Sequence, residues 1–215
     1  MRMYTRASLL AAAALISACS TSPPAQFYTL QPARDARPSP AAPAGFQIEI
    51  ASVSVPMQAD QPQIMLRERA TDNSLTPLYS HRWSAPLPDE IRSALSDVLT
   101  RDLGALNVQA LQPSPGTPVW RVQVDVQRFD IVGDAAARLD ATWRVRPVHH
   151  KQGKSLLCRT LVQVEPSGRS ISELVQAQQQ AVRLLADTIA SAIRSDGARA
   201  TPAAANVQLE GCNIG

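Results

Sequence analysis

The stretch that decides the fold is WRVQVDVQ, residues 120–127, in which apolar and polar side chains alternate without interruption. The apolar members are Trp120, Val122, Val124 and Val126, and the polar members are Arg121, Gln123, Asp125 and Gln127. Successive side chains of a β-strand point to opposite faces of the sheet. The alternation therefore predicts a strand with one face in the core and the other in water.

The same alternation returns downstream at 139–146, and a third β-type run covers 156–164. The connections between these runs are short, so they predict an antiparallel meander. Upstream, Phe46 to Ile50 alternates in the same way, and its phase shifts by one near Ser52, which predicts a bulge or a strand end. The runs 64–69 and 75–83 flank a cluster of turn-forming residues and predict a hairpin.

Two segments carry helical periodicity instead. From Pro88 to Leu103 the apolar residues recur at steps of three and four, and Gly104 is a plausible helix end. Proline is tolerated in a first helical turn because its missing N–H has no partner there. A second helix begins at Ser170, which has the capping-box spacing to Glu173, and its apolar stripe runs to Ile193.

These elements predict an α+β fold, a single domain over 46–215. We expect a largely antiparallel sheet of about five to six strands, with two amphipathic helices packed on one face. A last edge strand is expected at Asn206 to Glu210. No period of 20 to 50 residues repeats, which argues against a solenoid.

Three cysteines occur, at positions 19, 158 and 212. With Cys19 assigned to the N-terminal signal described next, Cys158 and Cys212 remain as a pair, for which a disulfide is the simplest interpretation in an oxidising compartment. The alternative is two separate buried thiols, because sequence does not show that the two Cα atoms come close enough. A metal site is less favoured, since neither C-x-x-C nor H-x-x-x-H spacing is present.

Residues 1–18 have the order of a secretory signal: Arg2 and Arg6, then an apolar run, then small residues ending at Ala18. The run is roughly half the length that a bilayer-spanning helix needs. Ile16 to Cys19 resembles the bacterial lipobox, which implies cleavage between Ala18 and Cys19 and acylation of Cys19 by fatty acids such as palmitate. The alternative is an ordinary signal peptide with a chance cysteine nearby. Ser20, by analogy with the enteric sorting rule, favours the outer membrane.

Residues 19–45 then form a lipidated tether in this interpretation. It contains a short β-type run at 27–30 and a loop rich in proline and alanine from Gln31 to Gly45, which has too few large apolar groups to fold alone.

Charge and histidine content exclude several function classes. The chain has 21 basic and 18 acidic residues, and removal of 1–18 leaves 19 against 18, so no basic patch for nucleic acid is expected. The chain has three histidines, His81, His149 and His150. Its sequence contains no nucleophile elbow, Walker loop or paired-histidine zinc motif. We expect no enzyme, no cofactor and no metal site, with His149 and His150 in a solvated turn and His81 on the surface.

Three motifs together resemble a known family. They are Phe27-Tyr28-Thr29-Leu30 soon after the lipobox, Pro62-Gln63-Ile64, and Arg82-Trp83-Ser84-Ala85-Pro86-Leu87 leading into the first helix. In this order they are similar to the PqiC-like auxiliary lipoproteins of Mce-type ABC lipid transport systems. We interpret the motif as structural, with Trp83 in the core. Its residues are Tyr28, Leu30, Pro62, Gln63, Arg82, Trp83, Pro86 and Leu87.

The resemblance implies a protein without cofactor or enzymatic step, anchored on the periplasmic face of the outer membrane. Its partner would be a periplasmic Mce-domain protein of an ABC lipid transporter, and some members assemble into homo-oligomeric rings. Arginines on the polar sheet face would suit such docking. Two alternatives stay open: a lipoprotein that itself holds a lipid or another hydrophobic ligand between sheet and helices, and a periplasmic enzyme, against which the shortage of histidines argues.

Overall fold

The computed structural model describes residues 24–31, 42–133 and 136–215. This part of the chain contains eight strands and two helices. In chain order they are β1 (Gln26–Tyr28), β2 (Gln47–Ser54), β3 (Gln63–Arg67), β4 (Thr76–Trp83), α1 (Leu87–Leu103), β5 (Val119–Val132), β6 (Ala136–Val148), β7 (Leu156–Val164), α2 (Ile171–Arg194) and β8 (Val207–Ile214).

All eight strands belong to one sheet, with β5 in its middle. The path through the sheet is β1-β4-β3-β5-β6-β7-β8, and β2 also pairs with β5. The antiparallel meander of β5, β6 and β7 and the β3–β4 hairpin are confirmed.

The predicted sheet of five to six largely antiparallel strands is wrong in number and in direction. The sheet is mixed, because β1 runs parallel to β4 and both β2 and β3 run parallel to β5. The 14-residue strand β5 is long enough to hold both along one edge, β2 near Val119–Asp125 and β3 at Ile131–Val132. Alternation of apolar residues marks a strand and its buried face, but it carries no information about the direction of the neighbour.

The local signals at the helix ends are those the sequence indicated. Helix α1 ends where Gly104 adopts a left-handed conformation with φ of 63°, which glycine takes without steric cost. At the start of α2 the capping box is formed: Glu173 N donates to Ser170 Oγ at 3.3 Å, and Ser170 N donates to Glu173 Oε2 at 3.0 Å. Hydrogen bonds from Ser170 also lower the pKa of the Glu173 carboxyl.

Both helices cover the apolar face of the sheet. Helix α2 contacts β5, β6 and β7, whereas α1 contacts β2 and packs against α2. Trp120 and Trp143 lie fully buried in this layer. The indole N–H of Trp143 donates to Thr160 Oγ1 at 2.7 Å, so the one polar atom of that ring is satisfied inside the core.

The last strand is longer than predicted and is bonded covalently to its neighbour. β8 extends from Val207 to Ile214, and the sulfur atoms of Cys158 and Cys212 lie 2.04 Å apart, which confirms the disulfide. The pairing of β7 with β8 is shifted between Leu157 and Arg159, with Gly211 at a φ of 60°. A glycine in this conformation allows the bulge that brings Cys212 opposite Cys158.

Several N-terminal predictions lie outside the described residues. They are the signal peptide 1–18, the cleavage between Ala18 and Cys19, and most of the tether 19–45. Within the described part, the strand predicted at 27–30 occupies Gln26–Tyr28, and Leu30 is buried. Neither of the helices given above has the length and apolar character needed to cross a bilayer.

Two carboxylates meet where α1 and α2 cross. Burial raises the pKa of Asp187 to about 6, and the neighbouring carboxylate of Asp102 adds to the rise, because the two can share a hydrogen bond only when one is protonated. Two arginines lower the pKa of Asp187 and so oppose this rise. They are Arg183, whose Nε lies 3.8 Å from Asp187 Oδ2, and Arg194. A proton bound at this contact therefore stabilises the folded chain.

Replacing Cys212 with serine should lower the free energy of unfolding by at most about 4 kcal/mol, since the bond closes a loop between residues separated by 54 positions. Urea unfolding with and without dithiothreitol measures this. Reductant should bring the wild type down to the level of Cys212→Ser and leave that variant unchanged. Equal midpoints for oxidised wild type and the variant would show that the bond contributes nothing.

Replacing Asp187 with asparagine should make stability less dependent on pH. The raised pKa means that the wild type gains stability from protonation below about pH 6 and loses it as the pH rises. At pH 7.5 the variant should be more stable by about 1 kcal/mol, a value reduced for the partial exposure of the carboxylate. Near pH 4 the difference should vanish.

Urea midpoints at pH 4.5, 6 and 7.5 measure this dependence. Asp60→Asn, which changes a carboxylate in an exposed turn, is the matched control and should follow the wild-type curve. Parallel curves for wild type and Asp187→Asn would contradict the assignment.

Candidate interaction surfaces

The motif residues singled out in the sequence come together at one point of the structure. Tyr28 of β1 stands opposite Trp83 of β4 in the sheet. Trp83 N donates to the carbonyl of Pro62 at 2.9 Å, and Ser84 N donates to the carbonyl of Tyr28 at 2.8 Å. Three chain segments that are far apart in sequence are thus joined through their backbones.

Apolar side chains of the same motif fill the space beneath this junction. Trp83 is buried and its ring centroid lies 6.3 Å from that of Phe129 on β5. Leu30 and Leu87 are also buried. Gln63 and Arg82 are register partners of β3 and β4 and lie at the sheet rim of the same junction.

A buried carboxylate holds the junction together. Glu90, in the first turn of α1, is only 4% exposed. It accepts hydrogen bonds from Thr29 Oγ1 at 2.7 Å, from Leu30 N at 2.8 Å and from Ser84 Oγ at 2.5 Å. A buried carboxylate is tolerated when its oxygens are satisfied in this way. We call the cluster of residues 28–30, 62–63, 82–87 and 90 the N-terminal joint.

Glu90 was not among the residues selected from the sequence. The sequence nevertheless contains an indication of its burial. Glu90 falls on the apolar stripe of α1 together with Leu87, Ile91 and Ala94, all of which are buried. A charged residue in the buried phase of an amphipathic helix indicates a polar partner in the core.

The polar face of the sheet, on the side away from the helices, carries a second group of residues. Arg144 and Arg146 of β6 are exposed, and in the sheet they stand opposite Gln123 and Arg121 of β5. Arg121 donates to Glu49 Oε2 at 2.9 and 2.8 Å. Among the described residues, neither Arg144 nor Arg146 makes an ion pair. We call these two side chains the arginine pair.

Other arginines on this face are neutralised by neighbours. Arg159 forms two hydrogen bonds to Asp140, at 2.9 and 2.6 Å, and they raise the pKa of its guanidinium above the ordinary value. Arg128 pairs with Asp130 at 2.9 Å. Of the exposed arginines on β5, β6 and β7 in the described part of the chain, only Arg144 and Arg146 therefore lack a neutralising carboxylate.

The joint and the arginine pair lie at opposite ends of the body. The joint touches β5 at Phe129, whereas the arginine pair lies beside Gln123 and Arg121, six and eight residues away along β5, which is roughly 20 to 27 Å in an extended strand. Helix α1 connects the same two ends. Its first turn lies in the joint. At its other end, the carbonyl of Leu106, just after the helix, accepts a hydrogen bond from Ile48 N at the start of β2.

The histidines take structural positions. His81 lies against Tyr28, with ring centroids 5.7 Å apart. His150 is not simply in a solvated turn, as the sequence suggested, because it packs on Trp120 at 5.2 Å and accepts a hydrogen bond from Gly153 N at 2.9 Å. Within the ranges that the structure describes, no group of three His, Cys, Asp or Glu side chains could hold a metal ion.

A small cavity lies between the two helices. It has a volume of about 150 Å³ and is lined by residues that include Leu30, Val98 and Val182. A larger hollow of about 690 Å³ lies on the outer surface of α1, where its lining includes Arg92, Asp97 and Arg101. The small cavity, whose lining also includes Gln179 and Arg183, is below the ~300–1,000 Å³ typical of ligand pockets, and the larger hollow is polar and open.

Comparisons with known proteins agree with this architecture. No curated protein matches the chain. The crystal structure of a protein that is itself uncharacterized aligns with a TM-score of 0.61 at 15% identity, over 79% of this chain and 99% of that one. A protein from Xanthomonas campestris assigned to the family DUF330 aligns with a TM-score of 0.58 at 20% identity, over 80% of this chain and 97% of that one.

These two likenesses show the fold alone, whereas the comparison with protein families goes further. The model of one family matches residues 28–190, a range that begins in the N-terminal joint and ends in α2. It includes every residue of the motif and the arginine pair. The chain therefore belongs to the family of ABC-type transport auxiliary lipoprotein components.

Proposed function

We propose that this protein is acylated at Cys19, sits on the periplasmic face of the outer membrane, and docks the periplasmic Mce-domain protein of an ABC lipid transporter there. The observation that carries the proposal is the family match over residues 28–190, a family of transport auxiliary lipoproteins. The lipobox-like Ile16 to Cys19 supports it, because it stands only nine residues before that match begins.

The N-terminal joint supports a role that depends on position. Gln26, the first residue of β1, lies seven positions after Cys19. The segment that leaves the anchor is therefore fixed almost at once to the start of α1, through the three hydrogen bonds accepted by Glu90 and the pairing of β1 with β4. A rigid connection of this kind keeps the whole folded domain at a fixed position relative to the anchor.

The arginine pair supports a docking surface at the far end. Arg144 and Arg146 are exposed next to each other on one face of β6, and guanidinium groups are enriched at protein interfaces because they form forked hydrogen bonds with carboxylates. An acidic patch on the partner would meet them roughly 20 to 27 Å from the joint. This separation suits a protein that bridges a membrane and a periplasmic assembly.

The alternative of a lipid carrier has less support. The cavity between the helices, at about 150 Å³, is too small for an acyl chain of ordinary length, and the core around it is filled by well-packed apolar side chains. Native mass spectrometry of delipidated protein offered phospholipid separates the two functions, because a carrier would retain lipid stoichiometrically and a docking protein would not.

Exchanging residues 1–19 for a secretory signal that is not a lipoprotein signal should release the mature chain into the soluble periplasm. In a strain lacking the gene, the released form should fail to restore resistance to detergent, although its level matches that of the wild type. Intact mass of the wild-type protein should show fatty acyl groups on Cys19. Full complementation by the soluble form, or a wild-type mass without acyl groups, would overturn the proposal.

The double variant Arg144→Glu/Arg146→Glu should weaken copurification of the Mce-domain partner by about tenfold, because a reversed charge pair opposes an acidic surface. The matched control is Arg69→Glu/Arg199→Glu, which makes the same change in net charge at two exposed positions away from the arginine pair. Thermal unfolding should be similar for both variants. Equal copurification with both would remove the arginine pair from the docking surface.

A further inference from the structure

The edge of the sheet formed by β1 and β4 carries two exposed aromatic side chains. Phe27 is 65% exposed and Tyr79 is 71% exposed. Isolated apolar side chains on a surface are common and do not by themselves indicate an interaction site. These two differ because both lie beside the point at which the chain arrives from Cys19.

The register of the strands fixes their relation to that point. β1 and β4 are parallel, with Gln26 opposite His81 and Phe27 opposite Arg82. Tyr79 precedes His81 by two residues, so it lies on the side from which the chain enters β1. Arg82 Nε donates to the backbone carbonyl of Tyr79 at 3.4 Å, which holds the guanidinium at the same edge of the sheet.

The length of the N-terminal segment limits how far this edge can be from a lipid anchor. Phe27 follows Cys19 by eight residues, and a fully extended chain of that length spans at most about 29 Å. Aromatic rings favour the interface between membrane and water, and arginine adds attraction to lipid phosphates. The edge therefore has both the chemistry and the position to touch the membrane.

We propose that Phe27, Tyr79 and Arg82 rest on the head groups of the phospholipid leaflet that holds the anchor. The inference builds on the proposed acylation of Cys19 and adds an orientation to it. An acylated tether alone fixes the distance of the body from the membrane, whereas a second contact fixes which end faces the lipid. With this edge on the membrane, the arginine pair faces away from it into the periplasm.

Tryptophan substitutions at exposed positions test the contact directly. The variants are Phe27→Trp, Tyr79→Trp and, as the matched control, Leu111→Trp, which replaces a side chain that is 72% exposed in the segment following α1, at the far end of that helix. The full-length acylated protein is reconstituted in vesicles of phosphatidylethanolamine and phosphatidylglycerol, with and without brominated acyl chains. Trp83, Trp120 and Trp143 are buried and give a common background.

Brominated lipid should quench the added tryptophan at positions 27 and 79 at least about twofold more than at position 111, since only the first two approach the acyl region. Adding Arg82→Gln to the Phe27→Trp variant should reduce the quenching, because a contact with phosphate is lost. Equal quenching at all three positions, or none at 27 and 79, overturns the proposed contact. An edge covered by a second copy of the chain would give that same negative result.

The same samples separate this inference from the proposed function. If intact mass shows acyl groups on Cys19 and the protein floats with the vesicles, but quenching is not selective, only the orientation is wrong. If acyl groups are absent and the protein does not float with the vesicles, both the proposed anchor and the proposed orientation are wrong.

Discussion

The structure depends first on the buried carboxylate of Glu90. A charged group in the core is costly unless its oxygens are hydrogen-bonded, and here the donors come from Thr29, Leu30 and Ser84. Because these donors belong to the N-terminal segment and to the entry of α1, the charge is satisfied only when both segments are in place. One side chain thus couples the arrival of the chain at the sheet to the start of the first helix.

The second constraint is the length of β5. With 14 residues it reaches from the arginine end of the sheet to the joint, and it offers one edge to two parallel strands in succession. Helix α1, of 17 residues, spans about 25 Å and packs on β2, which runs alongside β5. The two ends of the body are therefore held apart by elements that cannot shorten without breaking backbone hydrogen bonds. This rigidity makes the separation between joint and arginine pair a fixed property of the fold.

Much of this could be predicted from sequence, and the part that could not has a physical cause. Alternation identified β5, β6 and β7, the capping box placed α2, and the cysteine count indicated the bond between Cys158 and Cys212. Strand direction was missed, because a half-buried strand has the same pattern beside a parallel or an antiparallel neighbour. Glu90 is marked by its place on the apolar stripe of α1, but its partners could not be identified, because the hydrogen-bond donors are 6 to 61 residues away in sequence.

In the proposed function, anchoring also explains how a modest docking surface suffices. Two exposed arginines contribute little affinity in free solution, because exposed ion pairs are screened and hold flexible side chains in place. Confinement to a membrane changes the balance, since a second binding event between two tethered partners draws on a high effective concentration. A body that is fixed in orientation at one end presents its other end to the partner repeatedly in the same geometry. In the proposed function the joint and the anchor would supply much of the strength, and the arginine pair would supply the choice of partner.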